Sequence, residues 1–235
     1  GLRAPRPGRA CRRDSLRVCA AQFGRRAKRR LHDVLPPSRL EAWLASPEGR
    51  DVRAIVHMGA ISDTTARDVD LVLAQNFSFS RMLWDWCARN RAQLVYASSA
   101  ATYGDGSLGM DDRSDELQRL RPLNMYGYSK HLFDLHAQRE GWLSRIVGVK
   151  YFNVFGPNED HKGDMRSLVN KAYEQIRTTG RVGLFKSYHP DFKDGEQLRD
   201  FLYVKDAVEM TLHFAESATT AGGLFNLGSG DANTW

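Results

Sequence analysis

The sequence predicts an α/β fold: a parallel sheet with helices on both faces, followed by a small partial C-terminal lobe. Three observations carry the prediction. Short apolar runs at residues 52–58, 93–97 and 146–155 alternate with longer segments of helical period. Each run ends on or beside small, polar or hydroxyl-bearing residues, and hydrophobic residues make up 42% of 235, enough for one substantial core. Strand, helix and strand in repeated order call for right-handed crossovers and a sheet buried on both sides. Ligands of such sheets bind beyond the carboxyl ends of the strands.

The net charge of +6 is unevenly divided. Residues 1–30 hold eleven Lys or Arg against the single Asp14, a balance of +10, and the remaining residues hold 23 against 27, a balance of −4. A basic, acid-poor arm suits nucleic acid, an acidic membrane or a transit peptide. Here it has only Phe23 as an interleaved aromatic and no enrichment in Ser, so no nucleic-acid partner is expected and the arm reads as a disordered segment outside the fold. No apolar run reaches the roughly eighteen residues of a membrane span, so no membrane partner is expected either. Cys11, Cys19 and Cys87 are odd in number and lack metal-type spacing, which suits a reducing cytoplasm. The His residues form no ligand pattern, so no metal is expected.

From residue 31 the elements follow in order. Ser38 is placed to cap a short amphipathic helix, RLEAWLAS. The run VRAIVHM is a strand leading into Gly59, Ala60, Ile61 and Ser62. Residues 66–89 form a helix with an apolar stripe at Val69, Leu73, Phe77, Ser80, Leu83, Trp84 and Cys87, while Trp84 and Trp86 pack. Asn76 lies beside the stripe, and a buried amide needs partners, so it either ties strand ends together or sits near a ligand. The run 93–97 is a buried strand ending at Ser98 and Ser99, and the helix YGYSKHLFDLHAQRE follows, closing near Gly141. Residues 146–155 are the next strand, 168–178 a helix and 182–188 a short strand. Asp206 caps a helix over 207–216, and residues 224–227 are the last strand.

Tyr126 and Lys130 are four apart and project from one helix face. A phenol is a poor acid or base near neutrality, but a cation within a few ångströms favours the phenolate and brings its pKa toward a usable value. Ser99, at a strand end, could hold the reacting oxygen. Such a pair alone suits a solvated helix face; the Ser-Ser-Ala strand end upstream makes it specific.

Through Ser99, Tyr126 and Lys130, in YASSAATYG and NMYGYSK, the chain resembles the extended short-chain dehydrogenase/reductase family of nucleotide-sugar epimerases and dehydratases. The resemblance implies a Rossmann-type sheet, a bound NADP with NAD possible, cytoplasmic location and a homo-oligomer. It implies that Gly59, Ala60, Ile61, Ser62, Asn76, Tyr126, Lys130 and Val154 line the cofactor, and that Ser99 orients a sugar oxygen. The loop YFNVFGPNEDHKGDM narrows this: it is similar to the FNVYGPxExHKGxM signature of the ADP-L-glycero-D-manno-heptose 6-epimerases, and the likeness runs from about Asp51 to Gly230. By that resemblance Lys162 becomes a second catalytic base, against the bland reading of a loop lysine in solvent. Asn153, Asp164, Phe185 and Arg199 join Ser99 in contacting the ADP-heptose substrate, although Arg199 could instead pair with Asp200.

The implied chemistry inverts C6 of the heptose in a lipopolysaccharide precursor. Hydride leaves to the nicotinamide, the transient ketone is presented by its other face, and hydride returns; Tyr126 and Lys162 serve the two half-reactions from opposite sides. The division expected is a basic non-family segment over 1–30, a cofactor domain over 31–160 and a partial substrate lobe over 161–235, with both ends truncated. Other readings stay open. A different nucleotide-sugar epimerase has the same fold; a dehydratase would carry an acidic pair where this chain has Ala101-Thr102-Tyr103. An inactive remnant is the third, because GLRAPRPGRACRRDS stands where the family carries its Gly-rich pyrophosphate turn, so weak cofactor retention is expected.

Overall fold

Side-chain alternation along one strand sets the layers. In the computed structural model, which describes residues 33–184, 186–188, 193–217 and 221–234, Leu94 and Tyr96 turn to one core while Val95 between them turns to another. The expectations for residues 1–30 and for Phe185 fall outside the described residues.

In chain order the strands are β1 (Ala54–His57), β2 (Gln93–Ser99), β3 (Val147–Tyr151), β4 (Asn153–Phe155), β5 (Arg199–Tyr203), β6 (Gly223–Leu227) and β7 (Ala232–Asn233). The helices are α1 (Leu40–Leu44), α2 (Val69–Leu73), α3 (Phe79–Asn90), α4 (Met125–Arg139), α5 (Leu168–Thr179) and α6 (Val204–Glu216). The main sheet has the order β1-β2-β3-β6 with every pair parallel, as the alternation predicts. A second sheet, β4-β5-β7, joins β4 and β5 in parallel and β5 to β7 antiparallel.

Helices α3 and α4 cover one face of the main sheet and α6 the other. The first core holds Leu83, Trp84, Cys87, Tyr96, Phe133 and Ala137. Phe133 is 1% exposed and meets the Tyr96 ring edge-on at 4.8 Å; burying such a ring is worth about 2–3 kcal/mol before the edge contact is added. The second core is smaller: Val95, Val147, Val149, Leu202, Ala207 and Leu227.

Several local expectations are corrected. Ser38 lies inside a 3-10 turn, Pro37–Arg39, started by the fixed φ of proline, and caps nothing. Residues 146–155 are two strands: the pairing with β6 ends where the Phe152 N–H donates to Leu227 O, and from Asn153 the chain pairs with β5 in the other sheet. The described part of 182–188 is not a strand. Asp206 sits in the first turn of α6, where its charge suits the helix dipole, but Tyr203 is the capping position.

The long helix over 66–89 is α2 and α3 joined by a π turn, Ala74–Ser78. A π turn inserts one residue and moves the buried face by one position. Ser80, Leu83, Trp84 and Cys87 are buried as predicted, whereas upstream the buried residues are Val72 and Asn76 in place of Val69, Leu73 and Phe77; Val69 is 45% exposed. Trp84 and Trp86 do pack, and Trp86 Nε1 donates to Leu44 O at 3.0 Å.

Candidate active site

The carboxyl end of β2 and the first turn of α4 are pressed together by a glycine. Asn124 caps α4, its side chain accepting from Gly127 N at 2.9 Å. A Cβ on Gly127 would stand 2.7 Å from Ala101 O, so only glycine lets the helix start this close to the turn after Ser99. The approach brings the Tyr126 side chain close enough to Ser99 for that hydroxyl to act on the phenol. Ser99 Oγ also accepts from Ala101 N at 3.1 Å.

Lys130 follows one turn later and is 2% exposed. Burial pushes its ammonium down to about 8, against Asp134, which draws it up. Tyr126 is shifted up by burial, which outweighs the downward pull of the Ser99 hydroxyl. The direction is opposite to the one expected from a neighbouring cation, because desolvation of a phenolate costs more than the hydroxyl returns. His57, at the end of β1, is pushed down to about 4 by burial and then by Lys130. Ser80 Oγ spends its proton on Asn76 O at 2.6 Å, so the His57 Nε2 at 3.0 Å is the donor and the ring is neutral near pH 7.

Asn76 is wholly buried and fully engaged. Its Oδ1 accepts from Ile61 N at 2.8 Å, and its Nδ2 donates to Ile61 O at 3.0 Å and to Ser129 Oγ at 2.9 Å. The amide therefore ties the loop after β1 to the helices beneath it. That loop carries Gly59, Ala60 and Ser62 exposed and Ile61 half-buried at the carboxyl end of β1. A Cβ on Gly59 would meet only the His57 ring, at 3.8 Å, which leaves the loop's outer face open. A phenol, an ammonium and a hydroxyl beside an open, pinned backbone loop form a donor set that fits the hydroxyls of a nicotinamide ribose.

The remaining expected residues lie on the second sheet and its loops. Asn153 is exposed on β4 and Val154 beside it is half-buried. Lys162 and Asp164 stand in a turn after β4, Asp160–Met165, with Asp164 exposed and the Lys162 side chain 46% exposed. Lys162 lies 3.8 Å from Glu159 Oε2 and pairs with that carboxylate. Glu159 in turn accepts from Ser167 N and Oγ, both at 2.7 Å, and from Gly156 N at 3.1 Å. Burial would raise the Glu159 carboxyl, but the Ser167 and Gly156 donors and Lys162 hold it below its ordinary value. Arg199 is exposed and donates to Leu198 O at 2.7 Å. Asp200 accepts from Ser229 N and Oγ and from Gly230 N, which turns the Gly228-Ser229-Gly230 segment into a carboxylate-bound turn.

Sequence reasoning missed the polar layer beneath the site. Asp134 Oδ1 accepts from Tyr96 Oη at 2.7 Å, and Oδ2 accepts from Ser98 Oγ at 2.7 Å and Lys150 Nζ at 2.9 Å, with Asp134 and Lys150 both inaccessible to solvent. Spacing gave a signal for Asp134, which repeats the Tyr126 and Lys130 step of four; nothing local marked Lys150. Among the described residues no group of His, Cys, Asp or Glu is arranged to hold a metal, and no helix is long and apolar enough to cross a membrane.

Known proteins share this fold. The sequence profile of the NAD dependent epimerase/dehydratase family matches residues 17–228. An ADP-L-glycero-D-manno-heptose-6-epimerase of Nitratidesulfovibrio vulgaris is 56% identical over 185 residues, which cover 79% of this chain and 57% of that protein. The crystal structure of the Helicobacter pylori ADP-L-glycero-D-manno-heptose-6-epimerase superposes with a TM-score of 0.66 at 28% identity, covering 84% of this chain and 57% of that one. The Thermus thermophilus UDP-glucose 4-epimerase in complex with NAD gives 0.65 at 26% identity, covering 85% and 62%. The chain thus spans a little over half the length of the curated relative it matches. With its Ser99, Tyr126 and Lys130 assembled at the strand ends and a family profile matched over 17–228, the chain belongs to the NAD dependent epimerase/dehydratase family.

Proposed function

We propose that the chain carries the reaction centre of an epimerase that inverts C6 of ADP-D-glycero-D-manno-heptose to the L-glycero form, in the supply of lipopolysaccharide core precursors. The observation that carries the reading is the placing of the Tyr126 phenol beside Ser99 at the carboxyl end of β2, with Lys130 buried one turn along. The names of the relatives support the substrate, and the His161-Lys162-Gly163 element supports heptose over other sugars.

Ser99 and Tyr126 hold the C6 hydroxyl between them, and Tyr126 takes its proton as the carbon is oxidised. Lys130, a cation at neutral pH, stabilises the phenolate so formed and binds ribose hydroxyls. A nicotinamide dinucleotide, when bound, supplies the acceptor and donor of hydride; NADP is proposed, with NAD as the alternative. Lys162, on its turn beyond β4, serves the opposite face of the ketone, once freed from Glu159. Asn153, Asp164, Phe185 and Arg199 contact the substrate, Arg199 through the planar donor fork that suits a diphosphate. Val154 and residues 59–62 line the cofactor. The cytoplasm and a homo-oligomer complete the reading.

Incubating the protein with either heptose epimer and NADP or NAD, and following C6 by NMR, tests it. Conversion in both directions is expected, abolished by Tyr126→Phe. No conversion with either nucleotide, under conditions where the Nitratidesulfovibrio vulgaris relative turns over, would refute it.

A further inference from the structure

Two halves of the site meet on one buried ion pair. Tyr126, Lys130 and Asp134 succeed each other at intervals of four on α4, so they share a face about 12 Å long. At its far end Asp134 receives Tyr96 and Ser98 of β2 and Lys150 of β3. Lys150 also donates to Thr102 Oγ1 at 2.6 Å, and Thr102 Oγ1 donates to Ser99 O at 2.8 Å. One carboxylate therefore connects the helix bearing the phenol and amine to the strand end bearing the serine. Gly148 makes room for it: a Cβ there would lie 2.5 Å from Tyr96 Oη.

We propose that Asp134 is a positioning residue for this site, locking α4 against β2 and β3 so that Tyr126 and Lys130 stand over Ser99; the inference deepens the epimerase reading and rests on it. The network has no loose member to absorb a displacement, since Tyr96, Ser98, Asp134 and Lys150 are each no more than 2% exposed. Charged and titratable groups facing Asp134 are Tyr96 from β2, Tyr103 from the turn after it, Lys150 from β3, and Lys130 and His131 from α4 itself. Facing Lys130 are Asp134 and, from β1, His57. The carboxylate thus holds Lys130 as a cation while fixing where it stands.

Removing Asp134 alone would leave Lys150 buried without its anion, so the test is the double variant Asp134→Asn/Lys150→Met, which deletes both charges together. The readout is the titration of Lys130, followed by NMR of lysines labelled at Cε and assigned with Lys130→Arg, in the protein without nucleotide. The transition is expected to fall by about one pH unit or more, and epimerisation at pH 7 by at least tenfold in kcat with KM little changed. A folded double variant with a lower melting temperature but an unmoved Lys130 transition would show a merely structural pair and overturn the proposal. Should that variant not fold, Tyr96→Phe/Ser98→Ala keeps the ion pair and frees it from β2; a shifted Lys130 transition supports the proposal and an unchanged one overturns it. Absence of turnover in the parent chain strikes at the epimerase reading alone, because the titration decides on Asp134 without it.

Discussion

Replacing Lys130 by Met should make the protein more stable and, on the proposed mechanism, inactive. The ammonium is 2% exposed and is pushed down from 10.5 to about 8 by burial, with Asp134 already working in the other direction. At 1.36 kcal/mol per unit, keeping that cation inside costs the folded state about 3 kcal/mol near pH 7. Methionine matches the unbranched stem and carries no charge. The sign follows from proton counting. Between pH 8 and 10.5 the unfolded chain holds the proton and the folded chain has released it, so the parent gains stability as pH rises through that window, whereas the variant does not. Urea unfolding at pH 7 should therefore favour Lys130→Met by about 3 kcal/mol, and the advantage should shrink toward zero by pH 10.5. A variant less stable than the parent at pH 7, or an advantage independent of pH, would refute the reasoning.

Other outcomes follow from the same geometry. His57 is pushed down to about 4, so the folded state binds its proton later than the unfolded chain as pH falls, and about 3 kcal/mol should be lost between pH 6.5 and 4. Thermal melts across that range should be flatter for His57→Gln. Gly148→Ala would place a Cβ 2.5 Å from both Tyr96 Oη and Leu224 Cδ2, and the urea midpoint should report a loss of about 1–3 kcal/mol. Asn76→Ala strips Ile61 of partners for both its backbone groups, which should cost about 1–3 kcal/mol and raise amide exchange at Ile61 specifically. Unchanged protection at Ile61 would show that the loop is held some other way.

The fold was legible wherever short-range pattern decides it. Short apolar runs ending at small or hydroxyl residues gave β1, β2 and β3, and the four-residue step gave the face shared by Tyr126 and Lys130. What failed did so for specific reasons. The stripe drawn through Val69, Leu73 and Phe77 assumes an unbroken 3.6-residue period, and the π turn at Ala74–Ser78 breaks it. Strand 146–155 looked continuous because the change of partner at Phe152, from β6 to β5, is set by strands far along the chain. The phenol's shift was misjudged because a charge spacing can be read from sequence, but desolvation cannot. Lys150 was invisible, since its partners come from residues 102 and 134.

Burial of charge is the feature that most separates this site from ordinary scaffold. Lys130, Asp134, Lys150 and His57 are each no more than 5% exposed, in a region otherwise filled by Phe133, Tyr96 and Leu94. Apolar side chains of similar volume would serve a scaffold as well or better, because desolvating an ion pair commonly costs as much as its attraction returns. A fold shaped by stability alone would not collect them behind one serine and one tyrosine. Chemistry that must hold an ammonium and a phenol in a fixed relation, shielded from water, does require such an arrangement: the low-dielectric surround that makes the charges expensive also strengthens the field they exert at the strand end. The cost and the use of the site then have a single origin, and the stability gained by Lys130→Met measures how much of the first is spent on the second.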